Sequence, residues 1–248
     1  NRVLDESAIV NGVGTDQLKG SDPDPNPPAG LRSTTAQLAD NFGTGTVNAA
    51  ISAGTDGVSQ TSYSLTLTVD GAAASSGLYA LEPGDVSKNS DLAPATSDGY
   101  GQGAAINLYV INGVVYGLTA DGYASYTSAA DADKAASLTS GKYFAVEVDS
   151  SSGQVTFTQY QNIYHSNDSR YDETAEITLN GASTLSIVQT VTDGDGDQAS
   201  ASIKLADSTG SLFEIQDSGL TVDAAKLVQP DLQADTTTAT AGSLLDDN

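Results

Sequence analysis

Apolar and polar side chains alternate over several short stretches of the chain, most clearly over residues 184–205. A repeat of two residues is that of a β-strand with one buried face, and the alternation is interrupted once, near residue 195. The pattern therefore predicts a β-hairpin. The residues that share the apolar face are Leu185, Ile187, Gln189 and Val191 before the interruption, and Ala199, Ala201, Ile203 and Leu205 after it.

Similar patterns predict strands at residues 63–69, 106–111, 114–119, 144–148, 155–157 and 177–179. Asn112-Gly113 is a strong two-residue hairpin signal between two of them. Residues 80–105 are rich in Gly, Ser, Asp and Pro and predict a loop, whereas the alanines of 129–138 predict one short helix. About eight to ten short strands separated by turns indicate an all-β fold, which we interpret as a Greek-key-like β-sandwich with long loops and at most one or two short helices.

The sequence also predicts three segments. Residues 1–31 contain the proline-rich run DPDPNPP and are expected to form a linker or junction. Residues 32–220 are expected to form the β-sandwich, and residues 221–248, which lose the alternation, to form a connector. No initiator methionine is present, so we expect the chain to be part of a longer protein.

The turn of the predicted hairpin is unusually acidic: Asp193, Asp195 and Asp197 alternate with glycines. Three carboxylates this close repel one another unless a cation lies among them, and hard oxygen ligands suit Ca²⁺. The spacing is not that of an EF-hand, because Gln198 and Lys204 occupy the positions of that loop's glycine and final glutamate. An ordinary polar turn is the alternative interpretation.

The run VTDGDGDQASASIKL resembles the closing hairpin of the domain repeats in giant type I-secreted bacterial adhesins of the RTX class. Three further segments fit the order of that repeat: SYSLTLTVDGAAASSGLY, GQVTFTQYQNIYHSNDSRYDE and FEIQDSGLTV. Together they cover most of residues 40–222. The chain is most similar to the repeat family described as a type I secretion repeat, a domain of unknown function.

This resemblance implies an extracellular location on the bacterial cell surface, after type I secretion, and neighbouring repeat modules of the same chain as partners. Adhesin repeats of this kind are thought to hold calcium at their junctions. The resemblance therefore adds Asp5, Glu6 and Asp217 to the candidate calcium ligands, as acidic residues expected near the ends of the domain.

Composition narrows the function further. The net charge of −23 argues against binding to nucleic acids or anionic lipids and makes neutralising divalent ions plausible. The absence of cysteine excludes disulfides, thiolate metal sites and a cysteine nucleophile. No apolar run approaches 18 residues and no signal peptide opens the chain, so we expect no membrane insertion, and we expect a monomer.

His165 is the only histidine and is followed by the acidic residues Asp168 and Asp172. The segment can be interpreted as a second calcium loop, as a histidine–carboxylate pair for acid–base chemistry, or as a polar loop in which the imidazole is simply hydrogen-bonded. No nucleophile elbow, phosphate loop or zinc motif is present, so we predict that the protein is not an enzyme.

Several tyrosines cluster around the hairpin at 106–119. They fit either a carbohydrate platform or half-buried strand positions, of which the second is more common. They are Tyr100, Tyr109, Tyr116, Tyr123 and Tyr126.

Two functions remain. The first is a calcium-stabilised structural module that extends a large bacterial surface adhesin involved in attachment or biofilm formation. The alternative is a calcium-dependent binding module of the same adhesin, with a glycan or peptide as its ligand.

Overall fold

The computed structural model of the chain describes residues 2–6, 9–10, 13–14, 32–43, 51–52, 54–81, 101–165 and 174–217. Its strands are β1 (Arg2–Asp5), β2 (Ile9–Val10), β3 (Val13–Gly14), β4 (Ser33–Gln37), β5 (Val58–Thr68), β6 (Ala74–Leu81), β7 (Gln102–Ile111), β8 (Val114–Thr119), β9 (Lys142–Val148), β10 (Gln154–Gln159), β11 (Thr174–Glu176), β12 (Thr184–Asp193), β13 (Gln198–Asp207), β14 (Gly210–Ser211) and β15 (Phe213–Gln216). The helical elements are α1 (Ala120–Ser128), α2 (Lys134–Gly141) and a 3₁₀ turn at Ala39–Phe42. The prediction of an all-β fold with two short α-helices is confirmed for the described residues.

The larger sheet has six strands in the order β4-β10-β9-β8-β7-β6, with every neighbouring pair antiparallel. Strands β6 to β10 form a meander, and a long connection brings β4 beside β10, as in a Greek key. Asn112 and Gly113 have φ values of 53° and 82°. These left-handed conformations are what a two-residue hairpin turn of this type requires, so the predicted β7–β8 hairpin is confirmed.

The second sheet has the order β14-β13-β12-β5 and contains the acidic hairpin. Thr192 pairs with Gln198, so that residues 193–197 form the turn, and the hairpin predicted over 184–205 is confirmed. Gln189 lies on the buried face of β12, and its Nε2 donates a hydrogen bond of 2.9 Å to the hydroxyl of Tyr63 in β5. This bond accounts for a polar residue on an otherwise apolar face.

A third sheet, β1-β15-β11, contains the first and the last described strands. β1 runs parallel to β15, with Arg2 opposite Phe213 and Asp5 opposite Gln216. The middle of β1 is buried, since Leu4 is fully buried. Residues 2–5 are therefore part of the folded body, although they lie within the predicted linker 1–31. The predicted connector 221–248 lies outside the described residues. Within the predicted linker, β2 also pairs with β3 in a short hairpin.

Most of the buried apolar residues of the three larger sheets belong to one connected cluster. At its centre three fully buried rings follow one another: Phe144 of β9, Phe157 of β10 and Phe213 of β15. The ring centroids of Phe144 and Phe157 are 5.6 Å apart, and those of Phe157 and Phe213 are 4.8 Å apart. Aromatic contact therefore fixes the six-stranded sheet against the three-stranded one.

The strand predicted near 177–179 lies earlier in the chain than expected. The strand in this region is β11, and the residues after it cross between sheets, with the amide of Thr178 bonded to the Ser76 carbonyl at 2.8 Å and that of Leu179 to the Asp207 carbonyl at 3.0 Å. Ile177 and Leu179 are buried, so the apolar alternation reflected burial rather than pairing with a single strand.

The loop predicted at 80–105 is contradicted at both ends, because β6 extends to Leu81 and β7 starts at Gln102. Residues 82–100 lie outside the described part of the chain. The extension of β7 carries residues such as Gly103, which a composition-based reading assigns to a loop.

The helix predicted at 129–138 is only partly correct, because the structure has α2 at Lys134–Gly141 and a further helix, α1, before it. α1 is capped by the Thr119 hydroxyl, which accepts from the Gly122 amide at 3.1 Å. The Tyr123 ring stacks on Tyr109 of β7, with centroids 3.8 Å apart. This contact with the sheet holds a helix whose sequence alone is a poor helix former. No helix in the described ranges is long and apolar enough to cross a bilayer.

Gly117 of β8 lies under the Phe144 ring, and a Cβ at this position would come within 2.4 Å of the ring. We expect Gly117→Ala to lower the free energy of unfolding by about 1–3 kcal/mol, because a fully buried ring must move. Urea unfolding would measure this loss. Gly141→Ala is the matched control, since its Cβ would meet its nearest neighbour at 3.6 Å, an ordinary contact. Equal stability of the two variants would contradict this packing.

Candidate functional site

The turn between β12 and β13 is organised by one carboxylate. Asp193 Oδ1 accepts hydrogen bonds from the amides of Gly196 at 3.0 Å and Asp197 at 2.8 Å. The Asp193 amide donates to the Asp197 carbonyl at 3.0 Å, and Gly196 has a φ of 101° that a residue with a side chain rarely adopts. The local sequence thus folds the turn around Asp193.

A third carboxylate reaches this turn from a distant part of the chain. Carboxylate oxygens of Asp56, Asp193 and Asp195, here called the hairpin cluster, all lie within 4.8 Å of one another. The approach depends on Gly194, since a Cβ there would lie 2.6 Å from the Asp56 carbonyl oxygen. Asp197 contributes its backbone to the turn and is not one of the three clustered carboxylates.

Hydrogen bonds within the hairpin cluster stabilise the charged form of Asp193. A hydrogen bond from the Asp195 carboxyl, followed by bonds from the amides of Asp197, Gly196 and Asp195, lowers the pKa of Asp193. Asp193 is therefore charged over most of the pH range. Once Asp195 and Asp56 are also ionised, three negative charges face one another, and a cation would remove that repulsion.

A second group forms where the parallel strands β1 and β15 end. Asp5 lies opposite Gln216, so Glu6 and Asp217 follow side by side, and the Glu6 amide donates to the Gln216 carbonyl at 3.0 Å. His165 reaches the same place from the segment after β10. The ligand atoms of Glu6, His165 and Asp217, here called the terminal cluster, all lie within 4.8 Å of one another.

Glu6 is the centre of the terminal cluster and is held by several bonds. Its Oε1 accepts from the Ile163 amide at 2.9 Å and from Nε2 of Gln159, and its backbone carbonyl accepts from Arg32 at 3.4 Å. Its Oε2 lies 3.7 Å from Nε2 of His165. The side chains of Glu6 and His165 are only 2% and 3% exposed.

The third sheet also carries acidic residues beside the terminal cluster. Glu176 of β11 pairs directly with Glu214 of β15. Partial burial, and then repulsion from Glu176, raise the pKa of Glu214. The carboxylates of Glu176 and Glu214 therefore repel each other.

Four of the eight candidate ligands from the sequence fall into these two groups. The structure brings together Asp193 with Asp195, and Glu6 with Asp217. Asp5 is buried in β1 and belongs to neither cluster, while Asp168 and Asp172 lie outside the described residues.

Sequence reasoning missed Asp56 and did not connect His165 with Glu6. Asp56 stands in the turn GTDG directly before the alternation of β5, which resembles an ordinary turn. Only the pairing of β5 with β12 places that turn beside Asp193.

The tyrosines do not form an open platform in the described part of the chain. Tyr109 and Tyr123 use one ring face each against the other, and Tyr123 and Tyr126 are 6.4 Å apart. Tyr116 is partly buried, and this burial, followed by the nearby Glu147 charge, raises its pKa. The interpretation as half-buried strand residues fits Tyr109 and Tyr116, whereas Tyr123 and Tyr126 are half-buried in α1. Tyr100 lies outside the described residues.

Comparison with known proteins gives one family. A family model described as Domain of unknown function (DUF5801) matches residues 3–206. Neither a curated protein nor a solved structure shows significant similarity to the chain.

Removal of single carboxylates should distinguish Asp193, which holds the turn by hydrogen bonds, from Asp195, which does not accept those bonds. In protein freed of divalent ions, we expect Asp193→Ala to lower Tm more than Asp195→Ala, because two backbone amides lose their acceptor only in the first variant. Differential scanning calorimetry in a chelating buffer would measure both. A greater loss in Asp195→Ala would show that Asp193 does not organise the turn.

Proposed function

Since the chain belongs to the DUF5801 family, whose description assigns no activity, we propose its function from its own residues: a calcium-stabilised structural module that extends a large bacterial surface adhesin. The adhesin, its secretion by a type I system, its place on the cell surface and its role in attachment or biofilm formation rest on the resemblance of the hairpin and its flanking segments to RTX-class repeats. The calcium rests on the hairpin cluster.

The observation that carries the proposal is the set of three converging carboxylates at Asp56, Asp193 and Asp195. All three offer oxygen only, which is the ligand type of calcium. A net charge of −23 adds a general attraction for divalent cations.

Calcium at this position would stabilise the fold by joining distant segments. Asp56 precedes β5, whereas Asp193 and Asp195 belong to the turn after β12. An ion that binds only the folded arrangement would add about 2.7 kcal/mol when its free concentration is a hundredfold above its Kd. A secreted chain without disulfides can gain stability in this way.

The extender role is supported by the direction of β1 and β15. Because these neighbouring strands are parallel, the start of β1 at Arg2 and the end of β15 at Gln216 lie at opposite ends of the third sheet. Successive modules joined through these ends would follow one another in series. Such an arrangement suits a protein that spans distance.

One observation favours the alternative, a calcium-dependent binding module for a glycan or peptide. An open groove of about 380 Å³ lies beside the terminal cluster and is lined by Tyr79, Tyr164 and Glu176 among others. Aromatic side chains next to acids can hold a sugar ring. The extender remains the first proposal because it uses the cluster in the turn that carries the resemblance.

Calcium should raise Tm of the wild-type protein by several degrees, and Asp195→Asn should reverse part of the effect. Without calcium we expect this variant to be as stable as the wild type or more so, because it loses one repelling charge. When calcium is added, the Tm of this variant should rise less than that of the wild type. Asp131→Asn is the control, since its side chain is 99% exposed and lies in neither cluster. A wild-type melt that calcium leaves unchanged would refute the proposal.

A protein carrying two copies of the chain in series should become longer and stiffer when calcium is added, as small-angle scattering would register. Ions that neutralise acidic segments and fix them by directional oxygen contacts limit the angles between copies. A glycan or peptide array should show no calcium-dependent ligand for one copy. A reproducible calcium-dependent ligand, with scattering unchanged, would favour the binding module instead.

A further inference from the structure

The terminal cluster differs chemically from the hairpin cluster, because one of its three groups is an imidazole. We propose that Glu6, His165 and Asp217 bind a divalent transition-metal ion of the zinc or manganese class. The ion would clamp the first described strand to the last. This site is separate from the hairpin cluster, and the proposal does not depend on whether calcium binds there.

The first argument is the burial of unsatisfied polar atoms. Both ring nitrogens of His165 are buried and have no hydrogen-bond partner, although its side chain is only 3% exposed. A buried nitrogen left without a partner costs about 1–3 kcal/mol, so a ligand at this point is to be expected. Glu6 Oε2 and an Asp217 oxygen lie within 4.8 Å of the same imidazole.

The second argument is that the unsatisfied atoms gather around one residue. Across the described ranges, the buried side-chain atoms without a partner belong to Arg32, Gln159 and His165. Arg32 and Gln159 donate hydrogen bonds to Glu6, and His165 faces its Oε2. Gln159 Oε1 is an acceptor and could receive a hydrogen bond from a metal-bound water. Arg32 Nη1 is a donor and has no part in holding a cation.

A direct ion pair explains the cluster less well. A protonated imidazole bonded to a carboxylate would bring the two atoms to about 2.7–2.9 Å, whereas His165 Nε2 and Glu6 Oε2 are 3.7 Å apart. Two ligands that bind one ion at about 2.0–2.2 Å each are separated by roughly 3–4 Å, which includes the observed distance. The geometry therefore points to a shared third atom between them.

The donor set decides which ions fit. Calcium takes oxygen ligands, whereas imidazole nitrogen is a ligand of zinc, iron, nickel and copper, and carboxylates also suit manganese. One imidazole with two carboxylates is a plausible set for zinc with water in its remaining position. Glu6 is already oriented for this role, because its Oε1 is held by the Ile163 amide and Gln159.

The position of the cluster gives the ion a structural consequence. Glu6 directly follows β1, Asp217 directly follows β15, and His165 follows the segment in which Ile163 forms a bridge to Ala80 of β6. The ion would tie the third sheet to the edge of the six-stranded sheet. Its loss should loosen β1 before the rest of the fold.

The experiment uses the full chain, freed of metal and titrated with Zn²⁺ and, separately, Mn²⁺. His165 is the only histidine, so its imidazole signals in an NMR spectrum are unambiguous. We expect one equivalent of Zn²⁺ at micromolar concentration to shift them and to raise Tm. Mn²⁺ should broaden the same signals. Unchanged imidazole signals with both ions, or binding only at millimolar concentration, which would mark an adventitious ion only, would overturn the proposal.

Variants separate this site from the hairpin cluster. His165→Gln and Asp217→Asn should each weaken zinc binding at least about 10-fold, the lower bound seen when even an outer partner of a metal site is lost. In both variants calcium should still raise Tm, whereas Asp195→Asn should still bind zinc as the wild type does. Asp217→Asn retains the imidazole and serves if His165→Gln does not fold. Zinc binding that survives both substitutions at full strength would place the ion elsewhere, and a bridging water would then occupy the cluster.

Discussion

β1 pairs in parallel with β15, so the fold is closed by a contact between residues about two hundred positions apart. The entropy of closing so long a loop grows only slowly, by roughly 0.6 kcal/mol for each doubling, but it must be offset before the contact forms. Leu4, Phe213 and Ile215 supply that offset, because all three are essentially fully buried. The terminal cluster exists only when this pairing does, since Glu6 and Asp217 are neighbours by virtue of its register.

The remainder of the core has a more local origin and was largely predictable from the sequence. In β10 and β12, and over the central parts of β5 and β7, every second residue is buried, so a repeat of two in the sequence becomes a strand. Asn112 and Asp193 illustrate the turns, which follow from conformations and hydrogen bonds available within a few residues. The sequence of each such segment therefore determines its local structure.

Features that depend on distant contacts were not predictable in the same way. Ile177 and Leu179 alternate like a strand because both are buried, yet their backbone bonds go to two different sheets. α1 has weak helical propensity and is held by the stacking of Tyr123 on Tyr109. Asp56 is an ordinary turn residue until β5 pairs with β12. In each case a partner far away in sequence determines the outcome.

The two clusters also differ in how far apart their residues lie in the sequence. In the hairpin cluster two of the three carboxylates lie two residues apart in one turn, and nearby amides orient Asp193, so the turn can form before any ion arrives. The terminal cluster joins three distant segments, and its imidazole is buried without a hydrogen bond. Burial of unsatisfied groups is unfavourable unless something binds them, and its cost falls on the contact that closes the fold. An ion there would therefore act on the integrity of the whole domain, whereas an ion at the hairpin would act first on one turn and the strand beside it.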